Sequence, residues 1–293
     1  MKFQAPGAVL SVAITDDAQA VVAASDDEQS RIYNPQTGQL IGEPNRAGRI
    51  NGDLPDGQTI FSAPWEGKLK LRDAHSGGSL GDGFRGWQTK AVGFSPDGRW
   101  AAVGQFRGVV TLTEIATGKQ HEVELFNRNF PVEGLAFSAD GARLLAVSRQ
   151  GPAKFVDVAR AADAGMLDDS LSTLVCGLPD GRFVSRSADG AGLEVRDFAT
   201  GKVIQPPGRP TGHTGPINAI AVARTDGAVV TVSQDATARV WNLEEGTSQI
   251  LWKHGAPLKS AAFSQSGAHL VLAADDGAVR VLKNWRRETS PQP

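Results

Sequence analysis

The sequence predicts an all-β fold in which seven four-stranded antiparallel sheets close into a ring. A unit recurs along the chain with successive copies 39 to 46 residues apart. Within a unit, apolar residues alternate with small or polar ones, and short β-rich runs end at Asp-Gly, Thr-Gly or Ser-Gly turns. No unit can bury its apolar face alone, so the units must pack side by side. A closed ring satisfies this and leaves only short, protected sheet edges.

One turn marks the repeat most clearly. Full copies of this turn lie at Asp56-Gly57, Asp97-Gly98, Asp140-Gly141, Asp180-Gly181 and Asp226-Gly227, and weaker copies at Asp17-Ala18 and Ser266-Gly267. The units run over residues 6–45, 46–86, 87–129, 130–170, 171–211, 212–255, and 256–285 together with 1–5. Because the units depend on one another, we expect residues 1–293 to form a single domain. Residues 157–170 are expected to be an irregular connection.

The sixth unit carries the most specific sequence signal. Gly212-His213 opens it, Ile217 to Val222 and Val229 to Ser233 read as strands, and Ala238 to Trp241 is followed by Asn242. This pattern resembles the WD40 (WD-repeat) β-propeller family, with Trp-Asn where Trp-Asp is usual. The other units are degenerate and resemble those of bacterial members. The resemblance implies a seven-bladed β-propeller whose inner strand opens each blade.

The resemblance also implies a structural tetrad in the sixth blade. Its members are His213, Ser233, Asp235 and Trp241, with the indole N–H bonded to the serine, the serine to the histidine and the histidine to the aspartate. These are also residue types of a nucleophilic triad, but Ser233 falls inside a blade, whereas a triad needs an exposed nucleophile beside an oxyanion hole. The run Gly77 to Gly81 matches G-x-S-x-G but lies in a hairpin turn with no helix after it. We therefore expect no catalytic residues.

The two chain termini predict how the ring closes. The strand pattern of the seventh unit ends at Trp285, before a fourth strand. The polar, proline-containing segment that follows is unlike a β-strand in sequence. Residues 1–5 precede the first inner strand and are left over from the first unit. We expect them to supply the outer strand of the last blade, beside Val279 to Leu282.

Composition limits the classes of partner. The net charge is −2, from 30 basic and 32 acidic residues. The chain therefore lacks an overall positive electrostatic field that would attract nucleic acid or an anionic membrane. Cys176 is the single cysteine, which excludes an intramolecular disulfide and fits a cytoplasmic location. Residues 2–20 imitate a signal peptide, but Val9 to Ile14 aligns with Ile217 to Val222 and is expected to be an inner strand. We expect no binding to nucleic acid or membrane.

Metal and cofactor sites are not indicated either. The five histidines show no metal-ligand spacing, and there is no second cysteine. Asp26-Asp27-Glu28 and Asp275-Asp276 occupy matching turns in the first and seventh units, which ring closure makes neighbours. These carboxylates either shape turns and face solvent or meet to hold a cation, and the sequence leaves both open. We expect no metal and no cofactor.

A partner surface is expected where the family exposes the residue before the turn aspartate. The candidates are Trp65, Phe106 and Arg149 at these turns, Arg107 next to Phe106, and Trp87 and Lys90 at inner-strand entries on the same face. Aromatic residues flanked by arginine on a rigid scaffold have the composition of an interface hot spot. The alternative is that Trp65 and Trp87 fold inward and fill contacts between blades.

The function predicted from these features is a non-enzymatic scaffold that binds a protein or peptide. It is expected to be the sensor or interaction part of a larger bacterial signalling protein. Two alternatives remain: a propeller enzyme of the metal-dependent, lactonase-like hydrolase type, and a purely structural or oligomerising unit. No histidine lies at an inner-strand entry, which disfavours the hydrolase.

Overall fold

The computed structural model describes residues 1–46, 50–53, 56–63, 66–127, 129–149, 151–167, 171–204, 212–283 and 285–286, with only the backbone for 50–53, 66–67 and 85–87. Its strands form seven antiparallel sheets, called blades 1 to 7. Blade 1 comprises β2 (Val9–Ile14), β3 (Val21–Ser25), β4 (Gln29–Tyr33) and β5 (Asn45–Arg46). Blade 2 comprises β6 (Ile50–Asp53), β7 (Thr59–Ala63), β8 (Glu66–Asp73) and β9 (Ser79–Trp87). Blade 3 comprises β10 (Thr89–Phe94), β11 (Trp100–Gln105), β12 (Val109–Glu114) and β13 (Gln120–Glu124).

The remaining blades follow the same order along the chain. Blade 4 comprises β14 (Val132–Phe137), β15 (Arg143–Ser148), β16 (Ala153–Asp157) and β17 (Ala162–Leu167). Blade 5 comprises β18 (Val175–Gly177), β19 (Arg182–Arg186) and β20 (Leu193–Asp197). Blade 6 comprises β21 (Ile217–Val222), β22 (Val229–Ser233), β23 (Thr237–Asn242) and β24 (Thr247–Lys253). Blade 7 comprises β25 (Leu258–Phe263), β26 (His269–Ala274), β27 (Ala278–Lys283) and β1 (Lys2–Gln4).

The blades are joined into a closed ring through their first strands. These inner strands contact one another in cyclic order, and β2 contacts both β6 and β25. Within the described residues the buried apolar side chains form seven clusters, each packed between two neighbouring blades. For example, Val12 and Val21 of blade 1 pack with Val271 of blade 7. The predicted all-β propeller is therefore confirmed, and its core lies between the blades.

The N-terminal strand completes blade 7, as predicted. Phe3 pairs with Val279 in antiparallel register. Beyond the strand, the N-terminal ammonium of Met1 donates to the carbonyl of Val281 (2.8 Å), and the Val281 amide donates to the Met1 carbonyl (2.9 Å). Trp285, which follows β27, is 3% exposed, and its indole donates to the Gly267 carbonyl at 3.0 Å. The first residues of the chain thus complete blade 7, and Trp285 packs into the core between blades 6 and 7.

The outer strands depart furthest from the sequence-based expectation. Residues 157–170 were expected to be an irregular connection, and this is wrong, because Ala162–Leu167 form β17 and pair with β16. Five of its six residues are exposed, so it has no apolar alternation to reveal it. In blade 5 the described residues show three strands and an isolated bridge between Arg196 and Val203. None of the described residues forms a helix long and apolar enough to cross a bilayer.

Candidate functional site

One face of the ring carries the turns between the second and third strands of the blades, and we call it the turn face. Strands alternate in direction, so the connections that enter each inner strand lie on the same face. The two sets of loops are hydrogen-bonded: the amides of Asp26, Phe106, Gln234 and Asp275 donate to the carbonyls of Ala8, Gln88, Pro216 and Pro257 at 2.8–3.1 Å. Backbone bonds of this kind hold the loop tips in fixed positions, which suits a surface for recognition.

The polar network of blade 6 anchors one sector of this face. The Trp241 indole donates to the Thr231 hydroxyl at 2.7 Å, and His213 Nε2 lies 2.7 Å from the same oxygen. His213 Nδ1 lies 3.0 Å from Asp235 Oδ2, which also accepts the Thr214 amide at 2.9 Å. The Thr237 hydroxyl donates to Asp235 Oδ1 at 2.7 Å. Trp241, His213 and Thr231 are all buried, so the network ties β22 and β23 to the entering loop.

The hydroxyl of this network comes from Thr231, not from the predicted Ser233. Thr231 and Ser233 are two residues apart on one strand and therefore point to the same side. Trp241 pairs directly with Val229, so its indole reaches the diagonal neighbour Thr231. Ser233 lies farther along the strand, donates to the Gly215 carbonyl at 2.9 Å and accepts the Asp235 amide at 3.1 Å. It caps the turn and is 0% exposed, which is no place for a nucleophile.

The charges of the network follow from its burial and its hydrogen bonds. Burial alone raises the pKa of Asp235, but the bonds from Thr237, the Thr214 amide and His213 outweigh it and lower the pKa to about 2. Burial lowers the pKa of His213 below its usual 6.5, against the opposing effect of Asp235. At neutral pH the pair is therefore an ionised carboxylate and a neutral imidazole. Every polar group in it has a partner, as a structural network requires.

A second sector, on blades 3 and 4, combines an aromatic ring with basic side chains. Phe106 is 41% exposed at the turn between β11 and β12, and Lys90 Nζ lies 5.5 Å from its ring centroid. Arg107 follows it and is exposed. Arg149, at the matching turn of blade 4, is 72% exposed in its side chain and pairs with Glu133 at 3.0 Å. We call Lys90, Phe106, Arg107 and Arg149 the Phe106 patch.

Two predicted partner residues cannot be assigned to this patch. Trp65 lies outside the described residues. The backbone of Trp87 ends β9, the outer strand of blade 2, where it pairs with Glu66. The sequence placed Trp87 at the entry of the next inner strand, but β9 extends to it before β10 begins at Thr89. Its side chain lies outside the described part of the chain.

The opposite sector, on blades 7 and 1, is acidic. Asp26 and Glu28 are exposed. The other three carboxylates are paired: Asp27 with Arg31 at 2.6 Å, Asp275 with Lys259 at 3.3 Å and Asp276 with His254 at 2.9 Å. Among the described residues, no group of three or more His, Cys, Asp and Glu side chains is placed to hold a metal ion. The turn face is therefore divided into a basic, aromatic sector and an acidic one.

Sequence reasoning missed two contacts of the turn face, Thr231 in blade 6 and Glu133 beside Arg149. The alternation along Val229 to Ser233 predicts that the Thr231 and Ser233 hydroxyls lie on the same side of the strand. Only the pairing register between this strand and Trp241 identifies Thr231 as the partner of the indole. Glu133 is the second residue of β14, and no pattern in the sequence indicates its pairing with the turn of its own blade. Ser79, from the G-x-S-x-G run, begins the outer strand β9 and is exposed.

Comparison with known proteins agrees with this geometry. The family described as "WD40: WD domain, G-beta repeat" matches residues 205–242, which includes His213, Thr231, Asp235 and Trp241. The "WD repeat-containing protein SL1-17" of Schistosoma mansoni is 26% identical over 171 residues. That segment covers 56% of this chain and 55% of the relative, so the chain matches about half the length of that protein. The seven blades, the blade 6 network and these matches together support the WD40 (WD-repeat) β-propeller family as the one this chain resembles.

Proposed function

We propose that this protein is a non-enzymatic scaffold that binds an acidic or amphipathic peptide segment of a partner protein through the Phe106 patch. The observation that carries the proposal is the exposed ring of Phe106 at a turn tip, with Lys90 beside it and Arg107 next in sequence. An exposed aromatic ring supplies apolar area, and neighbouring cations favour carboxylates. Arg149 adds an exposed guanidinium on the next blade, where it pairs with Glu133.

The rigidity of the site supports a binding role. The Phe106 amide is fixed by the Gln88 carbonyl, and Gly108, with φ +75°, closes the turn beneath the ring. A partner therefore meets a side chain whose backbone is already ordered, which reduces the entropy lost on binding. Anchors of this kind, on a fixed scaffold, contribute a large part of the affinity of an interface.

Several features favour a scaffold over an enzyme. WD40 proteins are typically non-enzymatic scaffolds. Here the histidine–aspartate pair of blade 6 belongs to a buried, fully bonded network, and burial raises the pKa of the Cys176 thiol to about 12, which keeps it protonated. We infer a cytoplasmic location from the single cysteine, and a place within a bacterial signalling protein from the degenerate repeats. Nucleic acid and membranes are not expected partners, given the net charge of −2.

A pulldown with a matched control tests the proposal. The wild type is compared with Phe106→Ala/Arg107→Ala and with Leu80→Ala/Arg160→Ala. The control pair also removes one exposed apolar side chain and one arginine. Leu80 lies at the start of the outer strand β9 and Arg160 in the turn between β16 and β17, both at the other face of the ring. Partners should be lost from the first variant and kept by the second. Equal recovery by all three proteins would place the binding surface elsewhere, with the acidic sector of blades 7 and 1 as the next candidate.

The rival hydrolase is tested separately. A metal-dependent enzyme of this shape would copurify with a stoichiometric metal. Elemental analysis of the purified protein should find none, and one bound metal per chain would favour the hydrolase.

A further inference from the structure

A β-bulge recurs at the second residue of the inner strands of blades 1, 3, 4, 6 and 7. The pairing register with the second strand shifts there, and the bulged residues are Leu10, Lys90, Glu133, Asn218 and Lys259. In each of these strands the residue before the bulge is buried and the bulged residue is half-buried. A bulge re-aims its extra side chain out of the regular alternation.

Three of the bulged side chains contact the turn between the second and third strands of their own blade. Lys90 Nζ lies 5.5 Å from the Phe106 ring centroid, Lys259 Nζ lies 3.3 Å from Asp275 Oδ1, and Glu133 Oε2 lies 3.0 Å from Arg149 Nε. The bulged residue therefore determines which charge lies beside each exposed turn residue. In blade 3 it places a cation beside an aromatic ring, and in blade 4 it places an anion beside a cation.

The ion pair of blade 4 has its carboxylate inside and its guanidinium outside. The Glu133 side chain is 17% exposed and the Arg149 side chain is 72% exposed. Water screens the partly buried carboxylate less than it screens the guanidinium, so the negative charge acts on any group that approaches Arg149. Glu133 cancels the charge of Arg149 at short range. Blade 4 therefore adds no net positive charge to the Phe106 patch.

The turns of blades 3 and 4 rest on one connection, which joins β13 to β14. The Gly108 carbonyl accepts the amides of Leu125 and Phe126 at 3.0 Å, which fixes this connection to the Phe106 turn. A Cβ at Gly151 would lie 3.1 Å from the Phe130 ring, so the same connection also packs against the turn of blade 4. A segment bound over Phe106 therefore has the Glu133–Arg149 pair as its neighbour on the next blade.

A carboxylate and a phosphate monoester differ in what they gain at such a patch. The carboxylate carries one negative charge, and the phosphate carries about −1.5 to −2 at pH 7. Sites that bind phosphorylated segments use arginines whose charge is not cancelled. Beside a neutralised arginine the additional charge gains no attraction, is repelled by Glu133, and costs more free energy to remove from water.

We propose, on the basis of the peptide binding proposed above, that Glu133 is a specificity-determining residue of the Phe106 patch. By pairing with Arg149 it makes the patch select a partner segment whose acidic groups are carboxylates, and discriminate against a phosphorylated segment. Glu133 acts here through its charge, which is tested by changing the carboxylate to an amide of the same shape.

Three pools of fluorescent dodecapeptides serve as probes, and binding is measured by fluorescence anisotropy. Each pool has random neutral sequences around a central leucine, with one glutamate, phosphoserine or serine within three residues of that leucine. The wild type should bind the glutamate pool most tightly. Glu133→Gln should shift the ratio of the two affinities by about tenfold in favour of the phosphoserine pool, since it removes a repulsion at short range. Arg149→Gln leaves the Glu133 carboxylate without its cation and should shift the ratio the other way.

A matched control removes one carboxylate from the other face of the ring. Glu245 is exposed in the turn between β23 and β24, and Glu245→Gln should keep the wild-type ratio. The role of Glu133 is overturned if the wild type binds the phosphoserine pool as tightly as the glutamate pool, or if Glu133→Gln keeps the wild-type ratio. Equal binding of the glutamate pool by Phe106→Ala and the wild type would overturn the proposed function itself, and the role of Glu133 with it.

Discussion

At the scale of single residues, the blade 6 network shows which contacts the sequence pattern predicts and which it does not. The spacing of His213, Asp235 and Trp241 suffices to bring them together, because each lies at a fixed place in the repeat. The choice between two hydroxyls on one strand face depends on the register with β23, which the sequence does not state. The network therefore uses Thr231 where Ser233 was expected.

The role of Thr231 is testable by an isosteric change. Thr231→Val removes the oxygen that accepts the Trp241 indole and leaves two buried nitrogens without their partner. We expect a loss of about 1–3 kcal/mol in the free energy of unfolding, measured with urea. Thr214→Val, an exposed change in the same blade, should cost less than about 0.5 kcal/mol. Equal losses would show that the Thr231 hydroxyl is not buried in a network.

The same network predicts how stability depends on pH. The pKa of Asp235 in the folded protein is about 2, below its usual 3.8, so its contribution is present above about pH 4 and is lost as the pH falls toward 2. The depressed pKa of His213 acts in the same direction, since protonation below pH 6.5 favours the unfolded chain. In Asp235→Asn, the decrease in the free energy of unfolding between pH 4 and pH 2 should be about 2 kcal/mol smaller than in the wild type, as measured by urea unfolding at each pH. If the stability of Asp235→Asn depended on pH in the same way as that of the wild type, the ionisation assigned to Asp235 would be contradicted.

At the scale of elements, the inner and second strands were predictable from the repeat, and the outer strands, apart from the closing strand β1, were not. The predicted runs Val9 to Ile14, Ile217 to Val222 and Val229 to Ser233 coincide with β2, β21 and β22. β2 and β22 are largely buried and β21 is half-buried, so their sequences are rich in apolar residues. Outer strands such as β17 face solvent and are held by pairing with the third strand. Their sequences are therefore free to vary, and the pattern gives no signal.

The turn between β22 and β23 contains a residue under backbone strain. Ala236 has φ +65°, and the corresponding positions in three other blades are Gly108, Gly190 and Gly277, all with positive φ. Ala236→Gly relieves this strain and should raise the free energy of unfolding by up to about 1 kcal/mol. Ala223→Gly, at a buried position without positive φ, should lower it. A decrease for both variants in urea unfolding would contradict the strain at Ala236.

At the scale of the whole molecule, the repeat determines the architecture and leaves the partner open. Seven copies of one turn predict seven blades, and the missing last strand predicts closure by residues 1–5. The balanced net charge gave no sign of a divided turn face, because the division arises only when blades 7 and 1 become neighbours and blades 3 and 4 lie elsewhere on the ring. Local charge follows from the arrangement of blades and not from composition.

Ring closure has a direct test. Deleting Met1 to Ala5 removes β1, including the hydrogen bonds between Met1 and Val281. It leaves the edge of β27 unpaired. We expect a lower melting temperature and concentration-dependent association, since an open strand edge pairs with other chains. Lys2→Ala alters an exposed side chain and keeps the strand, so it serves as the control. Unchanged melting and monomeric behaviour after the deletion would contradict closure by the N-terminal strand.

The measurement that tests the proposed function most directly is selection of random peptides on the immobilised wild type. The affinities of the selected peptides are then compared for the wild type, Phe106→Ala/Arg149→Ala and Leu80→Ala/Arg160→Ala. The Phe106 patch predicts peptides with carboxylates beside a large apolar residue, affinity that falls as salt rises, and a loss of about 2 kcal/mol or more for Phe106→Ala/Arg149→Ala only. Selected peptides that are basic, or that bind all three proteins equally, would contradict the Phe106 patch as the recognition surface.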